Sequence, residues 1–366
     1  MAVYRIYPEA DTFITSFISE SNAGIDEIVE LGGFPNRIIK GESSRILVKF
    51  KDTEVTSTLT NIVSSGFSAS INYTLADATE LPETLSINAW PLAESFTKGI
   101  GKIEDTPTDR SGVTWKHRNA DRNNAWGTEQ ANATGSSSGS LAGGGLWYTG
   151  SNNIDLTTTT SHTYLDSKDI DINVTEAVKL QFSSSIVNNG FVLKLADNLD
   201  FNTTSSIKLK YFSQNTHTIY RPYLEFKWDD SSFITGSNSI LATDKAVIGI
   251  NNNSGEYGNK GKKRFRLTSK PQHPVRTFST GSIYKTNYAL PATSTYAIQD
   301  EFTKENIVDF DPTFTKISCD SEGSFFDLHL TNLEPERYYK VLISSSLDGS
   351  DVIIDNDNIF KVVKNG

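Results

Sequence analysis

Short segments in which apolar and polar residues alternate recur along the chain, and this period of two constrains the fold more than any other feature. Strand side chains point alternately to the two faces of a sheet, so each such segment predicts a strand with one buried face. We predict strands, each bounded by turn-forming residues, over 44–50, 68–75, 84–90, 190–195, 206–212 and 223–228. Helical spacing is found only at 172–182, and that segment is short. The sequence therefore predicts an all-β protein.

Three hairpins are predicted near the C-terminus, over 295–310, 315–330 and 337–363, the second and third reversing at "DSEG" and "LDGS". "NLEPERYYKV" places two tyrosines at the start of a strand, as in fibronectin-like modules. We predict a jelly-roll-like β-sandwich followed by a small immunoglobulin/fibronectin-like β-sandwich. The predicted organisation is a first domain over 1–232, a linker or connecting strands over 233–262, and a second domain over 263–366.

Composition narrows the classes of function. The net charge of −10 disfavours nucleic-acid binding, and the basic run at 259–270 is interpreted as a solvated strand or a docking surface. We expect no membrane insertion, because no stretch has the apolar length of a membrane span, and we expect no signal peptide. The single cysteine, Cys319, excludes an internal disulfide framework and a cysteine-based zinc site.

Catalytic and cofactor motifs are not found. The five histidines are scattered, no G-x-S-x-G elbow is present, and the glycine-rich stretch 133–145 lacks the Lys-Ser/Thr of a P-loop. We therefore expect a protein that is not an enzyme and has no cofactor. Two stretches rich in aspartate, 155–171 and 351–357, could hold calcium, but their spacing does not follow an EF-hand loop. Turn capping is the simpler interpretation of these carboxylates.

The stretch "SGVTWKHRNADRNNAW" (111–126) holds the densest set of chemistry-bearing side chains, within a long region of weak strand signal at 99–165. Aromatic rings can stack on sugars, and cationic groups can pair with hydroxyl or uronic carboxylate groups. The residues predicted to contact a glycan or a protein partner are Trp115, His117, Arg118, Trp126, Trp147 and Tyr148. In the alternative interpretation, which we favour, the tryptophans anchor the long loop to the sandwich.

The order of elements over 1–230 resembles the DNRLRE domain, which is also treated as a carbohydrate-binding module family. The matching pieces include "EADTFI", "NAGIDEIVELGG", "SSRILVKF", "GVTW", "DINVTEAV", "NNGFVLKL" and "YRPYLEFKW". Each piece is short, and their order and spacing carry the resemblance. It implies a β-sandwich that can serve as a binding module.

The segment from about 262 to 366 resembles an appended domain of virion proteins of contractile-tailed phages of marine bacteria, notably cyanophages. "TKISCDSEGSFFDLHL", "ERYYKVLI" and "DGSDVIIDNDNIFKVV" carry this resemblance. It implies a bacteriophage virion structural protein of the tail, neck or baseplate, assembled in the bacterial host cytoplasm. The expected partners are other virion proteins in a symmetric, multi-copy assembly. A carbohydrate-binding adhesin that recognises a host surface polysaccharide is the alternative.

Overall fold

The computed structural model divides into two compact units, which are described separately. The N-terminal unit is Arg5–Phe226, and the C-terminal unit combines Met1–Tyr4 with Lys227–Gly366. The residues that the structure describes are 2–35, 41–62, 66–79, 81–127, 133–136, 142–149, 158–163, 166–201, 203–204, 206–228, 233–275, 286–331 and 333–364.

The N-terminal unit is a β-sandwich, whose first strand begins before Arg5 and whose last strand ends after Phe226. Its strands are β1 (Ala2–Ile6), β2 (Pro8–Thr15), β3 (Ile28–Pro35), β4 (Gly41–Phe50), β5 (Phe67–Tyr73), β6 (Leu75–Thr79), β7 (Thr84–Pro91), β8 (Ala133–Ser136), β9 (Gly143–Tyr148), β10 (Thr158–Thr163), β11 (Ile170–Asn173), β12 (Phe191–Leu195), β13 (Ile207–Phe212) and β14 (Tyr223–Trp228). One sheet has the order β1-β14-β5-β11, and a larger sheet has the order β10-β7-β12-β4-β3-β13-β6, with β2 also paired to β4. A separate antiparallel pair is formed by β8 and β9.

The core of this unit lies between the two sheets. Tyr73 on β5 packs edge-on against Tyr211 on β13, with 6.2 Å between the ring centroids. Both rings are buried, and the Tyr211 hydroxyl donates to the Lys168 carbonyl oxygen at 3.0 Å. The alternating burial along β13 follows the period-two pattern on which the strand prediction rests.

The C-terminal unit is a smaller sandwich of immunoglobulin type. Its strands are β15 (Ala246–Ile250), β16 (Glu256–Gly258), β17 (Lys262–Pro271), β18 (Thr295–Asp300), β19 (Asn306–Val308), β20 (Ser318–Asp320), β21 (Gly323–His329), β22 (Tyr338–Leu347), β23 (Ser350–Ile354) and β24 (Ile359–Val363). One sheet has the order β15-β17-β21-β20 and the other β16-β24-β22-β18-β19, with β23 also paired to β22. The first sheet has the A-B-E-D arrangement of an immunoglobulin fold, and β24-β22-β18 of the second sheet has the G-F-C arrangement, with β16 and β19 at its two edges.

A tyrosine corner pins the last long strand of this sandwich. Tyr339, the second residue of β22, has a buried ring, and its hydroxyl donates to the Glu334 carbonyl oxygen at 3.1 Å. This bond from a tyrosine back to the preceding turn is a hallmark of immunoglobulin-like sandwiches. Across the core, the Tyr296 ring stacks on Phe326 with 4.0 Å between centroids.

The predicted all-β class is confirmed, and so are the three C-terminal hairpins. The helix predicted within 172–182 is present as α2 (Thr175–Phe182). The expectation of helical spacing nowhere else is wrong, because α1 (Asp52–Ile62) follows β4. Within 233–262, the segment predicted as a linker or connecting strands, β15 and β16 are strands of the C-terminal sheets.

A specific packing requirement explains α1. Val55, Leu59 and Ile62 recur at helical spacing on one buried face, although threonine and serine fill much of the remainder. Thr58 donates its hydroxyl to the Glu54 carbonyl oxygen at 2.9 Å, which satisfies that group within the helix. Burial of the apolar face thus overrides the weak helix propensity of the β-branched residues.

Candidate functional site

The stretch 111–126 folds into a short hairpin. A backbone bridge joins His117 to Ala125. At the tip, the Asp121 carboxylate accepts a hydrogen bond from the Asn123 amide at 3.0 Å, which closes the turn. Turn chemistry of this kind explains why asparagine and aspartate crowd the segment.

The three tryptophans that were predicted to contact a ligand are buried. Their relative exposures are 1% for Trp115, 7% for Trp126 and 4% for Trp147. They share one hydrophobic cluster with Ile14, Leu47, Leu92, Val113 and Val192. A sugar stacks on an exposed ring face, and these faces are covered by the protein. The three side chains therefore pack in the core, as the alternative interpretation expects, and their contact with a glycan or partner stays a prediction.

Glycines after β8 allow the backbone to approach this cluster closely. Gly144 donates its amide to the Trp115 carbonyl oxygen at 2.7 Å and has a φ of +75°. A β-carbon at Gly144 would lie 2.6 Å from the far edge of the Trp115 ring, and one at Gly143 would lie 2.2 Å from the Trp115 carbonyl oxygen. The glycine run is therefore required by packing and by the left-handed backbone.

A buried ionic cluster lies beside the tryptophans. Arg45 on β4 is only 1% exposed; its Nη2 donates to Asp200 Oδ2 at 2.7 Å and its Nη1 to the Gly144 carbonyl oxygen at 2.8 Å. Lys194 Nζ lies 3.3 Å from the same Asp200 oxygen, and the Ser43 hydroxyl donates to the other. Burial acts to raise the pKa of Asp200, but the charges of Arg45 and Lys194 with the Ser43 hydrogen bond hold it below its usual value.

Aromatic rings enclose the cations of this cluster. The Arg45 guanidinium carbon lies 4.9 Å from the Trp115 ring centroid, 5.1 Å from Trp147 and 5.4 Å from Phe201. Lys194 Nζ lies 5.2 Å from Trp147. Cations within about 6 Å of a ring face are attracted by its quadrupole. The tryptophans therefore bind a cation, but the cation is the protein's own.

A cavity of about 260 Å³ adjoins the cluster. Its lining residues are Arg45, Thr134, Gly135, Trp147, Lys194, Asp197, Asp200 and Phe201. Lys194 and Asp197 form an ion pair at 2.5 Å at its edge. Among the described lining residues the charges balance, with two cations and two carboxylates.

The remaining predicted contact residues lie at the surface or close to it. His117 Nδ1 is 3.8 Å from Glu20 Oε2, and Arg118 Nε is 3.6 Å from Glu94 Oε2. Burial lowers the pKa of His117, with Glu20 opposing the shift. Tyr148, at the end of β9, is half-buried. The structure thus brings the six predicted residues into one region, but only these three keep accessible surface for a partner.

Arg264 and Arg266 of the basic run at 259–270 lie on the same face of β17. Arg264 makes two hydrogen bonds to Asp327, at 2.8 and 3.0 Å, and Arg266 makes two to Asp320, both at 3.0 Å. Carboxylates on the neighbouring strands therefore neutralise these cations. This pairing is what the solvated-strand interpretation predicts.

Three of the candidate calcium ligands accept hydrogen bonds from side chains or amides of the protein. Asp355 and Asp357 accept hydrogen bonds from Lys340 Nζ at 3.2 and 2.9 Å, and Asp166 accepts from Thr163. Asp155 lies outside the described residues. Within the described part of the chain, no group of three or more His, Cys, Asp or Glu side chains could hold a metal ion.

A wide groove on the N-terminal unit was not foreseen from the sequence. Its volume is about 1050 Å³. The lining residues that the structure describes are Phe13, Thr15, Phe17, Ile18, Asp26, Glu27, Ile28, Glu30, Phe34, Pro35, Glu42, Lys102, Ile103, Glu104, Lys208 and Lys210. Lys208 Nζ pairs with Glu30 Oε2 at 2.6 Å on its floor. At its rim Phe17 is 72% exposed, which is unusual for so large an apolar side chain.

Comparisons with known proteins give no family. No family model matches the sequence, and no curated protein matches it. Among solved structures, the binding domain of botulinum neurotoxin serotype D/C is 10% identical, with a TM-score of 0.16 over 89% of this chain and 68% of the other. A similarity this low carries no argument about fold or function. None of the helices in the described segments is long and apolar enough to cross a membrane.

Proposed function

We propose that the chain is a non-enzymatic structural protein of a phage virion, belonging to the tail, neck or baseplate. It acts by binding neighbouring virion proteins. The resemblance of its C-terminal sequence to virion proteins motivates the assignment. The structural observation that supports it is the number of large apolar side chains left in contact with water.

Exposed apolar side chains are found in both units. Phe17 and Ile100 of the N-terminal unit are 72% and 71% exposed, and Phe302 of the C-terminal unit is 95% exposed. Phe302 is held in a tight turn, because the Asp300 carboxylate accepts hydrogen bonds from the amides of Phe302 and Thr303, both at 2.9 Å. A rigid turn that presents a phenylalanine to solvent suits a contact that another protein covers.

The role of the densest chemical cluster also supports a structural function. Arg45, Lys194 and Asp200 are hydrogen-bonded to each other or to neighbouring groups and are enclosed by aromatic rings. Such a cluster holds the long loop on the sandwich. In a symmetric particle, many weak surface contacts of each copy add up through multivalency.

Purified particles test this proposal. We expect mass spectrometry of virions of the source phage to detect the chain at a fixed ratio to the other tail proteins. We also expect the double variant Phe17→Ser, Phe302→Ser to fold but to be depleted from particles, while Glu176→Lys on the surface of α2 is incorporated normally. Absence of the wild-type chain from particles, or turnover of a polysaccharide by the purified protein, would contradict the proposal.

The groove provides a second candidate function, that of a carbohydrate-binding adhesin. Phe17 and Phe34 offer aromatic surface there, and Lys102 and Glu104 offer polar contacts. We expect a glycan array to give binding that Phe17→Ala abolishes if this function is present. Retained binding in Trp126→Ala, provided that variant folds, would place the sugar in the groove and not on the buried tryptophans.

A further inference from the structure

The groove of the N-terminal unit is bordered by two loops that pack side by side. Ile25 donates its amide to the Gly101 carbonyl oxygen at 3.0 Å, and Ile103 donates its amide to Asp26 Oδ2 at 3.0 Å. The Ser21 hydroxyl also donates to the Ile103 carbonyl oxygen at 3.3 Å. These bonds fix the loop that follows β2 against the loop around residue 100.

Both loops expose apolar side chains beside the groove. Phe17 and Ile18 line it and are 72% and 38% exposed. Ile25 and Ile100, on the same two loops, are 39% and 71% exposed. Phe13 on β2 lies beneath them and is almost fully buried. We name the groove together with these two loops the loop face, and it carries the four exposed apolar side chains.

Carboxylates outnumber ammonium groups among the described lining residues of the groove. Asp26, Glu27, Glu30 and Glu104 stand beside the three ammonium groups of Lys102, Lys208 and Lys210, and Glu42 has a partner of its own. Lys208 is already paired with Glu30 at 2.6 Å, and Lys210 lies 3.7 Å from Asp77, a carboxylate outside the lining. The lysines are therefore largely compensated by carboxylates that belong to the strands.

Carboxylates crowd each other where the two loops meet. Burial raises the pKa of Asp26, and the negative charges of Asp105 and Glu104 raise it further, against the Ile103 hydrogen bond and Lys102. Mutual repulsion of this kind is relieved when a cation comes close. A partner that places positive charge next to apolar side chains would be complementary to this surface.

We propose that the loop face is a docking site for a basic, apolar segment of a neighbouring protein, in which Lys or Arg side chains stand next to aliphatic or aromatic ones. This inference deepens the proposed function, on which it rests for the existence of a protein partner. Apolar side chains of the segment cover Phe17 and Ile100, and its cations lie against Asp26 and Glu104. The apolar contact supplies affinity, and the charge supplies orientation and a fast association rate.

A set of three labelled peptides tests the proposal on the full-length chain. The probe is a short peptide that alternates Lys with Val and Phe, and the controls replace every Lys by Glu or by Thr. We expect fluorescence anisotropy to detect binding of the Lys peptide and at least about tenfold weaker binding of the two controls. Raising the NaCl concentration from about 50 to about 300 mM should lower the affinity for the Lys peptide several-fold, because salt screens exposed charges.

Two variants locate the binding. Phe17→Ser and Glu104→Lys change exposed side chains and are expected to fold, and each should raise the Kd of the Lys peptide about tenfold. Phe302→Ser in the C-terminal unit and Glu176→Lys on α2 are the matched controls and should bind like wild type. Equal affinity for the Glu peptide, no effect of Phe17→Ser, or displacement of the peptide by a neutral oligosaccharide would overturn the inference.

The two proposals fail in different ways. If the Lys peptide does not bind but the chain is present in virions, the loop face is not the docking site and the proposed function stands. If the peptide binds as expected but particles lack the chain, the virion assignment fails and the docking site stands.

Discussion

Replacing Arg45 by methionine tests whether the buried ionic cluster holds the N-terminal unit together. Methionine keeps much of the length and the apolar contacts of arginine but removes the charge and all donors. The variant loses the hydrogen bonds to Asp200 at 2.7 Å and to the Gly144 carbonyl oxygen at 2.8 Å. Removing one partner of a buried ion pair costs about 3–5 kcal/mol, because the other charge stays buried. Lys194, 3.3 Å from Asp200, still compensates part of that charge, so we expect a loss of about 3 kcal/mol.

Urea denaturation followed by tryptophan fluorescence measures this loss, since Trp115 and Trp147 lie against Arg45. Lys208→Met is the control. The ion pair of Lys208 with Glu30 is shorter, at 2.6 Å, but partly exposed, so its removal should lower the unfolding free energy by less than about 1 kcal/mol. A loss for Arg45→Met no larger than that of the control would refute the reasoning.

The pH dependence of the Arg45 effect has a defined sign. The pKa of Asp200 is held below its ordinary value, although burial opposes this, by the charges of Arg45 and Lys194 and by Ser43. The ion pair therefore stabilises the protein above the unfolded pKa of about 4 and is lost as pH falls through the folded pKa. The difference in unfolding free energy between wild type and Arg45→Met should be constant from pH 5 to 7 and should shrink below pH 4.

Three further predictions concern single positions. Burial raises the pKa of Asp11 to about 6, although the Gln214 amide and Lys98 act to lower it. Because the folded protein then binds a proton more tightly than the unfolded chain, lowering the pH from 7 to 5 should add about 1 kcal/mol of stability. Urea titrations should find this gain in wild type and not in Asp11→Asn. Gly144→Ala should cost more than about 2 kcal/mol, because its β-carbon would meet the Trp115 ring at a φ of +75°, whereas Gly66→Ala, with open space, should change stability by less than about 0.5 kcal/mol. Tyr339→Phe should lower the unfolding free energy of the C-terminal unit by about 1 kcal/mol through the lost bond to Glu334, and equal stability of the two proteins would contradict the tyrosine corner.

Strands were predictable because their signal is local. Along β13, Ile207, Leu209 and Tyr211 are buried and the intervening lysines are half-buried, so six consecutive residues reveal the period of two. The hairpins at "DSEG" and "LDGS" were equally accessible, because the turn residues lie between the strands they join. α1 lacked such a signal, since threonine and serine obscure the three apolar residues of its buried face.

The roles of the site residues depended on contacts distant in sequence. The sequence around Trp115 is compatible with a sugar-binding surface and with a buried core position. The contacts of Trp115 with Gly144 and Arg45, which exist only in the folded chain, distinguish the two. Arg45 and Asp200 are 155 positions apart, and no sequence pattern pairs the two residues. A buried arginine within an apolar strand was the available signal, because such a side chain needs a carboxylate partner in the folded protein.

The loop face could not be predicted from the sequence for a different reason. Phe17 and Ile100 are ordinary apolar residues in the sequence, and apolar residues in loops are usually buried against a nearby element. In the folded chain the loops after β2 and around residue 100 are joined by hydrogen bonds of the Ile25 and Ile103 amides, and the side chains of Phe17 and Ile100 stay exposed. A surface of this kind results from how two loops satisfy their amides. It becomes visible only in the folded chain, whereas the tryptophan-rich stretch, so conspicuous in the sequence, is used to hold the fold.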